Sequence, residues 1–250
     1  MTTARRTRTI EQERAHRKAR LVVTLRAFAD AGFDEGAGGH VTARDPEDPD
    51  RFWINPFGRH FAHVRVEDLL LVDPEGTVVT GNGTVNPAGY AIHSRVHRAR
   101  PDVVAAAHTH SVHGRAFAAF GRTLDPLNQD ACAFYEDHEV FDEYGGVVLD
   151  WAEAERIAAT LGQGKAIILR NHGLLTVGAS VEEAAWWFLA MERCCQVQLL
   201  VEAAGGKPVL IGPAEARAAR DVIGSPSIAR LNFRPVREHV LATHPDLAGA

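Results

Sequence analysis

Only three cysteines occur in 250 residues, Cys132, Cys194 and Cys195, and they make neither a CxxC pair nor an even disulfide set. That excludes a disulfide-stapled secreted scaffold and points to a reducing cytoplasm. Adjacent Cys194 and Cys195 fall inside a predicted helix and read as small buried hydrophobes. No apolar run approaches the ~20 residues that a membrane-spanning helix needs. Positive charge is also short, with 27 Lys and Arg against 32 Asp and Glu, a net charge of −5 and a pI near 6.2. Nothing in that balance attracts nucleic acid or an anionic membrane. The basic start, Arg5-Arg6-Thr7-Arg8, has no apolar segment behind it and is broken by Glu11 and Glu13, so it reads as a disordered tail over residues 1–9. Glycines 36, 38 and 39 make no GxGxxG loop, and no glutamate of an HExxH motif lies between His93 and His97. Internal repeats and low-complexity segments are missing as well.

What is present is an ordinary globular composition, 46% hydrophobic and 24% charged, enough for one sizeable core. Leu21, Leu25, Phe28 and Ala29 recur with helical spacing, predicting a helix from Ile10 to Ala31 that Gly32 stops. Short strands are expected at 40–44, 52–54, 69–72 and 78–79, separated by proline, glycine and aspartate turns. Pro87 to Arg100 reads as a helix entered through proline and closed by Arg100-Pro101. A buried strand at 103–107 and a helix at 112–120 come next, and 124–144 reads as irregular. Beyond it the pattern predicts a helix at 151–161, strands at 166–169 and 174–177, and a long helix from Val181 to about Ala204. One or two short helices around 214–222 and 236–241 close the chain. The expectation is a single α/β (α+β) domain over 10–205 with a helical extension over 206–250.

The chemistry concentrates in Ala107-His108-Thr109-His110. Residues i and i+2 of a strand share a face, so His108 and His110 can grip one ion. His172, in Arg170-Asn171-His172-Gly173 after a second apolar run, can close a three-nitrogen site for zinc, iron(II) or another divalent metal.

Arg100-Pro101-Asp102, the apolar strand, the HxH pair and the distant Asn-His-Gly together resemble the class II aldolase/adducin family over roughly Val22 to Ala204. The resemblance implies that His108, His110 and His172 bind one divalent metal per subunit, zinc first, with iron(II) and manganese as alternatives. It implies a central, mainly antiparallel nine-stranded sheet flanked by helices, and a homotetramer with sites near subunit interfaces. Trp186 and Trp187 on the long helix read as core or subunit packing.

Departures from the aldolase pattern carry equal weight. Family aldolases place an acid/base glutamate nineteen residues before the first histidine, where this chain has Gly89. Their phosphate-binding segments correspond here to Gly39-His40-Val41-Thr42, Asn55-Pro56-Phe57-Gly58 and Asn86-Pro87-Ala88-Gly89. His40 replaces an asparagine, Phe57 a threonine, and Pro87 and Ala88 two serines, so a phosphate would lose its hydrogen bonds. The residues left to receive substrate are His40, Phe57, Gly58 and Arg59, with His60 beside them. Candidates for acid/base work are Glu136, with its neighbours His138 and Glu139, and His113, one turn beyond the metal pair.

The expected function is a metal-dependent carbon–carbon lyase, retro-aldol or decarboxylating, acting on a small non-phosphorylated hydroxy- or oxo-acid, aromatic ones included. A three-histidine iron(II) oxygenase of aromatic 2-oxo acids, whose fold is similar, is the alternative. A non-catalytic adducin-like assembly module is the third reading, and the intact histidines argue against it.

Overall fold

The computed structural model describes residues 8–247; of the tail expected over 1–9, residues 1–7 lie outside the described residues. Helix α1 (Ile10–Asp30) begins at a capping box in which Thr9 and Gln12 satisfy each other's backbone N–H groups. It ends before Gly32, whose φ of +73° suits glycine. Strands β1 (His40–Arg44), β2 (Phe52–Ile54), β3 (Leu70–Val72) and β4 (Val78–Thr80) lead into α2 (Pro87–Ala99). There follow β5 (Ala105–Thr109), α3 (Val112–Ala118), β6 (His138–Phe141), α4 (Trp151–Leu161), β7 (Ala166–Leu169) and β8 (Gly173–Gly178). Helices α5 (Val181–Ala203), α6 (Pro213–Ile223) and α7 (Pro226–Thr243) complete the chain.

The strands form one sheet in the order β4-β3-β2-β1-β5-β8-β7-β6. Every pairing is antiparallel except β6 with β7. Among the described residues the sheet has eight strands where the resemblance implies nine. Side-chain alternation divides the core into two layers. Ala105 and Ala107 of β5, with Val41 and Ala43 of β1, pack under α1, α5 and α7. Ala106 of β5, with Leu175 and Val177 of β8, packs against α2 and α4. Phe28, Phe33 and Phe188 interlock between α1 and α5 with ring centroids 5.1–5.8 Å apart, each such buried side chain contributing ~1.5–3 kcal/mol. Trp187 is buried edge-on to Phe134, and all three cysteines are free and buried. Among the described residues no helix is long and apolar enough to cross a membrane.

Three expectations change. The segment 124–144 is not wholly irregular, because His138–Phe141 forms an edge strand parallel to β7 and Ala131–Phe134 a 3-10 turn. Only the two ends of that strand are buried, which leaves too little alternation for a sequence signal. Strand β5 starts two residues later than expected, so His108 lies inside it. Helix α7 begins at Pro226 and continues through Pro235, held by burial of Ala229, Phe233 and Val240 against the α1/α5 layer.

Candidate metal centre

His108 is the penultimate residue of β5, His110 stands one residue past its end, and His172 sits in the turn joining β7 to β8. Because β5 and β8 are hydrogen-bonded neighbours, the turn before β8 is carried to the end of β5. Asn171 adopts a left-handed φ of +58° immediately before His172, a conformation asparagine tolerates better than most residues. One ring nitrogen from each histidine lies within 4.8 Å of the others. Two nitrogens held at zinc–nitrogen distance on a tetrahedral ion sit about 3.3 Å apart, and Nε2 of His110 and His172 are separated by 3.2 Å. His108 Nδ1 donates to the Leu174 carbonyl at 2.7 Å, which leaves its Nε2 lone pair for an ion and fixes the ring. Gly38 completes the fit: a Cβ there would lie 2.7 Å from His110 Nδ1.

Burial keeps all three rings neutral, the form that ligates. It pulls His108 well below the ordinary histidine range, aided by the nearby His172, His40 and His110. Burial and then His110 bring His172 down to about 4, and burial followed by Arg115 lowers His110.

The loop after His110 is anchored from α5. The buried Glu192 carboxylate accepts from Ser111 Oγ at 2.5 Å, from Gly114 N at 2.6 Å, and from His113 N and Nδ1 at 3.0 and 2.9 Å. His113 is thereby held at the start of α3 by Glu192, one-third exposed. Glu192→Ala should strand several buried donors and lower unfolding free energy by about 2–4 kcal/mol, since a hydrogen bond to a charged group contributes ~1.5–3 kcal/mol. Chemical denaturation measures it, and a loss below 1 kcal/mol would show that the anchor contributes little.

His40 is the residue closest in kind to a fourth member. It is the cross-strand partner of His108, their ring centroids 5.0 Å apart, and it is buried. Its ring occupies the space over Gly89: a Cβ at that glycine would fall 2.0 Å from His40 Cδ2 and 2.4 Å from Nε2. The positions that depart from the aldolase pattern, 40 and 89, are therefore in contact, with the imidazole filling the volume the glycine vacates.

Other candidates are placed elsewhere. Phe57 is 44% exposed, and Gly58 has a φ of +75° with open space around it. Arg59 donates to Asp68 at 2.7 Å and to the His63 carbonyl at 3.1 Å, while His60 faces Asp34 at 2.9 Å. Glu136 has both oxygens engaged by Arg217 of α6, at 2.7 and 2.9 Å, and that bond holds its carboxyl below the usual range. His138 has both ring nitrogens in use, Nε2 accepting from Leu124 N and Nδ1 donating to the Phe134 carbonyl.

Sequence alone gives His93 and His97 no role beyond an incomplete metal motif. They do not join the metal cluster, but they do not stand idle. His93 Nε2 is 2.9 Å from His40 Nδ1, and Thr42 Oγ1 bridges His93 Nδ1 at 2.8 Å and His97 Nε2 at 2.9 Å. The available signal was the i, i+2 pair His40 and Thr42 on a strand and the i, i+4 pair on a helix. Burial holds His93 well below the ordinary range, with His97 and His108 adding to it, and burial together with Arg44 brings His97 to about 3.

Both rings remain neutral in the folded protein while unfolded histidine protonates below pH ~6.5. Stability contributed by these two groups is intact above that value and is lost as pH falls toward about 3, at ~1.4 kcal/mol per pH unit for each ring. In denaturation of metal-free protein between pH ~6 and ~4, His97→Phe should lower the slope of stability against pH by ~1.4 kcal/mol per pH unit relative to the unsubstituted protein. An unchanged slope in that variant would contradict the assignment.

A family model described as Class II Aldolase and Adducin N-terminal domain matches residues 19–199. The chain is 49% identical over 243 residues to 4-hydroxy-3-prenylphenylpyruvate oxygenase/4-hydroxy-3-prenylbenzoate synthase of Streptomyces roseochromogenus subsp. oscitans, covering 96% of this chain and 87% of that protein. It is 48% identical over 242 residues to Decarboxylase NovR of Streptomyces niveus, covering 96% and 89%. Among solved structures, an L-fuculose 1-phosphate aldolase from Glaciozyma antarctica PI12 superposes with a TM-score of 0.90 at 41% identity, covering 98% of this chain and 96% of that one.

Proposed function

The chain belongs to the class II aldolase and adducin family, and on that footing we propose that it is a metal-dependent carbon–carbon lyase, retro-aldol or decarboxylating, acting on a small, non-phosphorylated hydroxy- or oxo-acid, aromatic ones included. The observation that carries this reading is the His40 ring lying over Gly89 beside three convergent imidazoles. The site keeps its metal-ligand set and has exchanged the aldolase carboxylate for a histidine. Two relatives at 49% and 48% identity, named as an oxygenase/synthase and a decarboxylase, support the same class of reaction.

His108, His110 and His172 would hold the ion. A divalent metal with open positions supplies Lewis-acid polarisation of a chelated carboxylate and carbonyl, zinc, manganese and iron(II) all being compatible with three imidazoles. His40 presents Nε2 at the same end of the sheet, where it can hold or release a proton. The polar groups of the segments that bind phosphate in the aldolase pattern are committed to the fold. Asn86 Oδ1 accepts from Ala88 N and Gly89 N, satisfying the amides at the α2 terminus, and Asn55 is buried with its Oδ1 on Val41 N. Pro87 has no amide proton to give. Assembly as a homotetramer and residence in a reducing cytoplasm, in keeping with the free thiols, belong to this reading.

A second reading, an iron(II) oxygenase that decarboxylates with oxygen, is favoured by the name of the 49% identical relative. Metal-loaded protein incubated with 4-hydroxy-3-prenylphenylpyruvate, with and without oxygen, separates the two. Carbon dioxide release in both atmospheres supports the lyase, and release only with equimolar oxygen consumption supports the oxygenase. Cleavage of L-fuculose 1-phosphate with no action on oxo acids would overturn both.

A further inference from the structure

Behind the metal centre runs an unbroken line of buried polar side chains: His40, His93, Thr42 and His97, joined at 2.9, 2.8 and 2.9 Å. None is more than 4% exposed. Burying four polar groups in an apolar layer is costly unless every partner is supplied, and here each interior atom of the line is matched. One atom is not: His97 Nδ1 is buried without a well-formed hydrogen bond. The Val103 carbonyl, which acts on this ring, already accepts from Arg44 Nε at 3.0 Å. His97 is also a wall residue of a cleft of roughly 350 Å³ that Arg44, Phe52, Arg95 and Trp151 help to form. At the opposite end His40 Nε2 is the free ring nitrogen, lying over Gly89 next to the metal cluster.

We propose that this line sets the tautomer of His40, with His40 as the catalytic group and His93, Thr42 and His97 as positioning residues that act through it. The proposal rests on the reading of the three-histidine cluster as the reaction centre. Two arrays of hydrogens satisfy the same heavy atoms. In the first, His97 carries its hydrogen on Nδ1, the Thr42 hydroxyl donates to His97 Nε2, His93 Nδ1–H donates to Thr42 Oγ1, and His40 Nδ1–H donates to His93 Nε2. His40 Nε2 is then bare and can act as a base.

In the second array every bond is reversed. His97 Nε2–H donates to Thr42, Thr42 to His93 Nδ1, and His93 Nε2–H to His40 Nδ1, leaving a hydrogen on His40 Nε2 and none on His97 Nδ1. The two arrays differ in where the end hydrogens sit, on His97 Nδ1 in the first and on His40 Nε2 in the second. The buried His97 Nδ1, beside the Val103 carbonyl and closed to water, favours the first, because a bare nitrogen there would face a carbonyl lone pair. Each ring holds one hydrogen in either array, so no buried imidazolium forms, and the line decides which nitrogen of His40 stands bare at the metal centre.

Metal-free protein labelled with ¹⁵N-histidine tests this without substrate, because the ring shifts report which nitrogen carries the hydrogen. Thr42→Val and His97→Phe each cut the line away from the metal ligands, and both should shift the tautomer balance of His40, whereas Thr42→Ser should keep the wild-type pattern. With substrate, the two cutting variants should lose at least tenfold in turnover, in line with the contribution of acid–base groups, at unchanged metal content. A His40 tautomer indifferent to both cuts, or shifted as much by Thr42→Ser as by Thr42→Val, would overturn the proposal. Since the tautomer measurement involves no reaction, an error in the assigned substrate leaves its result readable.

Discussion

Gly89→Glu, which puts back the carboxylate that the family's aldolases carry at this position, is expected to destabilise the protein by 3 kcal/mol or more and to yield no aldolase. The first atom of the new side chain decides it. A Cβ at residue 89 would stand 2.0, 2.4 and 2.8 Å from Cδ2, Nε2 and Cγ of His40, distances at which something must move. His40 has nowhere to go: it is buried, tethered through Nδ1 to His93 at 2.9 Å, and faces His108 across the strand pair. Overpacking of this kind costs ~1–3 kcal/mol even for one methyl group.

Gly89→Ala isolates the clash. In a helix alanine is favoured over glycine by up to ~1 kcal/mol, so a net loss can come only from the contact with His40. Removing the ring should reverse the sign. In a His40→Asn background Gly89→Ala should be neutral or stabilising, a coupling of ~2–3 kcal/mol in a double-mutant cycle. Additive effects would show that the two positions are independent. Coupling would show that positions 40 and 89 are filled as a unit, a ring and a hydrogen in place of an amide and a carboxylate, as the proposed transfer of the proton-handling role from helix α2 to strand β1 requires.

How much of this the amino-acid order discloses depends on the sequence distance over which each contact acts. His108 and His110 are readable because strand alternation is local, and His172 because the Asn-His-Gly turn follows an apolar strand and completes a family pattern. Helices α1 and α2 fall within a residue of their expected bounds because local signals fix them: the spacing of Leu21, Leu25, Phe28 and Ala29 with the stop at Gly32 for α1, and the entry at Pro87 with the close at Arg100-Pro101 for α2. Edge strand β6 escaped notice because its burial is confined to its two ends. The pair His93 and His97 looked like an incomplete metal motif on a helix. Their partners are 51 to 55 residues away on β1, so only the packing of α2 on the sheet gives them a role. Glu192 reaches back 78 to 81 residues to Ser111, His113 and Gly114, and its charge in the middle of α5 looks like any exposed helix residue until that helix is placed. Glu136 shows the converse, an acidic residue in the right stretch of chain whose carboxylate is turned to Arg217 on α6.

With His108, His110 and His172 holding one divalent ion, as proposed, removal of one of the three has the second large effect. His110 lies beyond the end of β5, so His110→Ala removes a ligand without touching the strand ladder or the His108 bond to Leu174. Two imidazoles would remain. Because loss of a supporting hydrogen bond behind a ligand already costs 10–100-fold in metal affinity, loss of the ligand itself should cost at least a hundredfold.

His97→Phe provides the control, since it cuts the buried line at the end away from the centre and leaves all three ligands in place. Stabilisation by the ion should follow the same order, a metal-dependent rise in melting temperature present in the control and missing from His110→Ala. The decisive measurement is metal stoichiometry and affinity of anaerobically purified protein beside these two variants. One equivalent per subunit in the unsubstituted protein and in His97→Phe, with affinity reduced a hundredfold or more in His110→Ala, is the result expected. Full retention of the ion at undiminished affinity in His110→Ala would contradict the account.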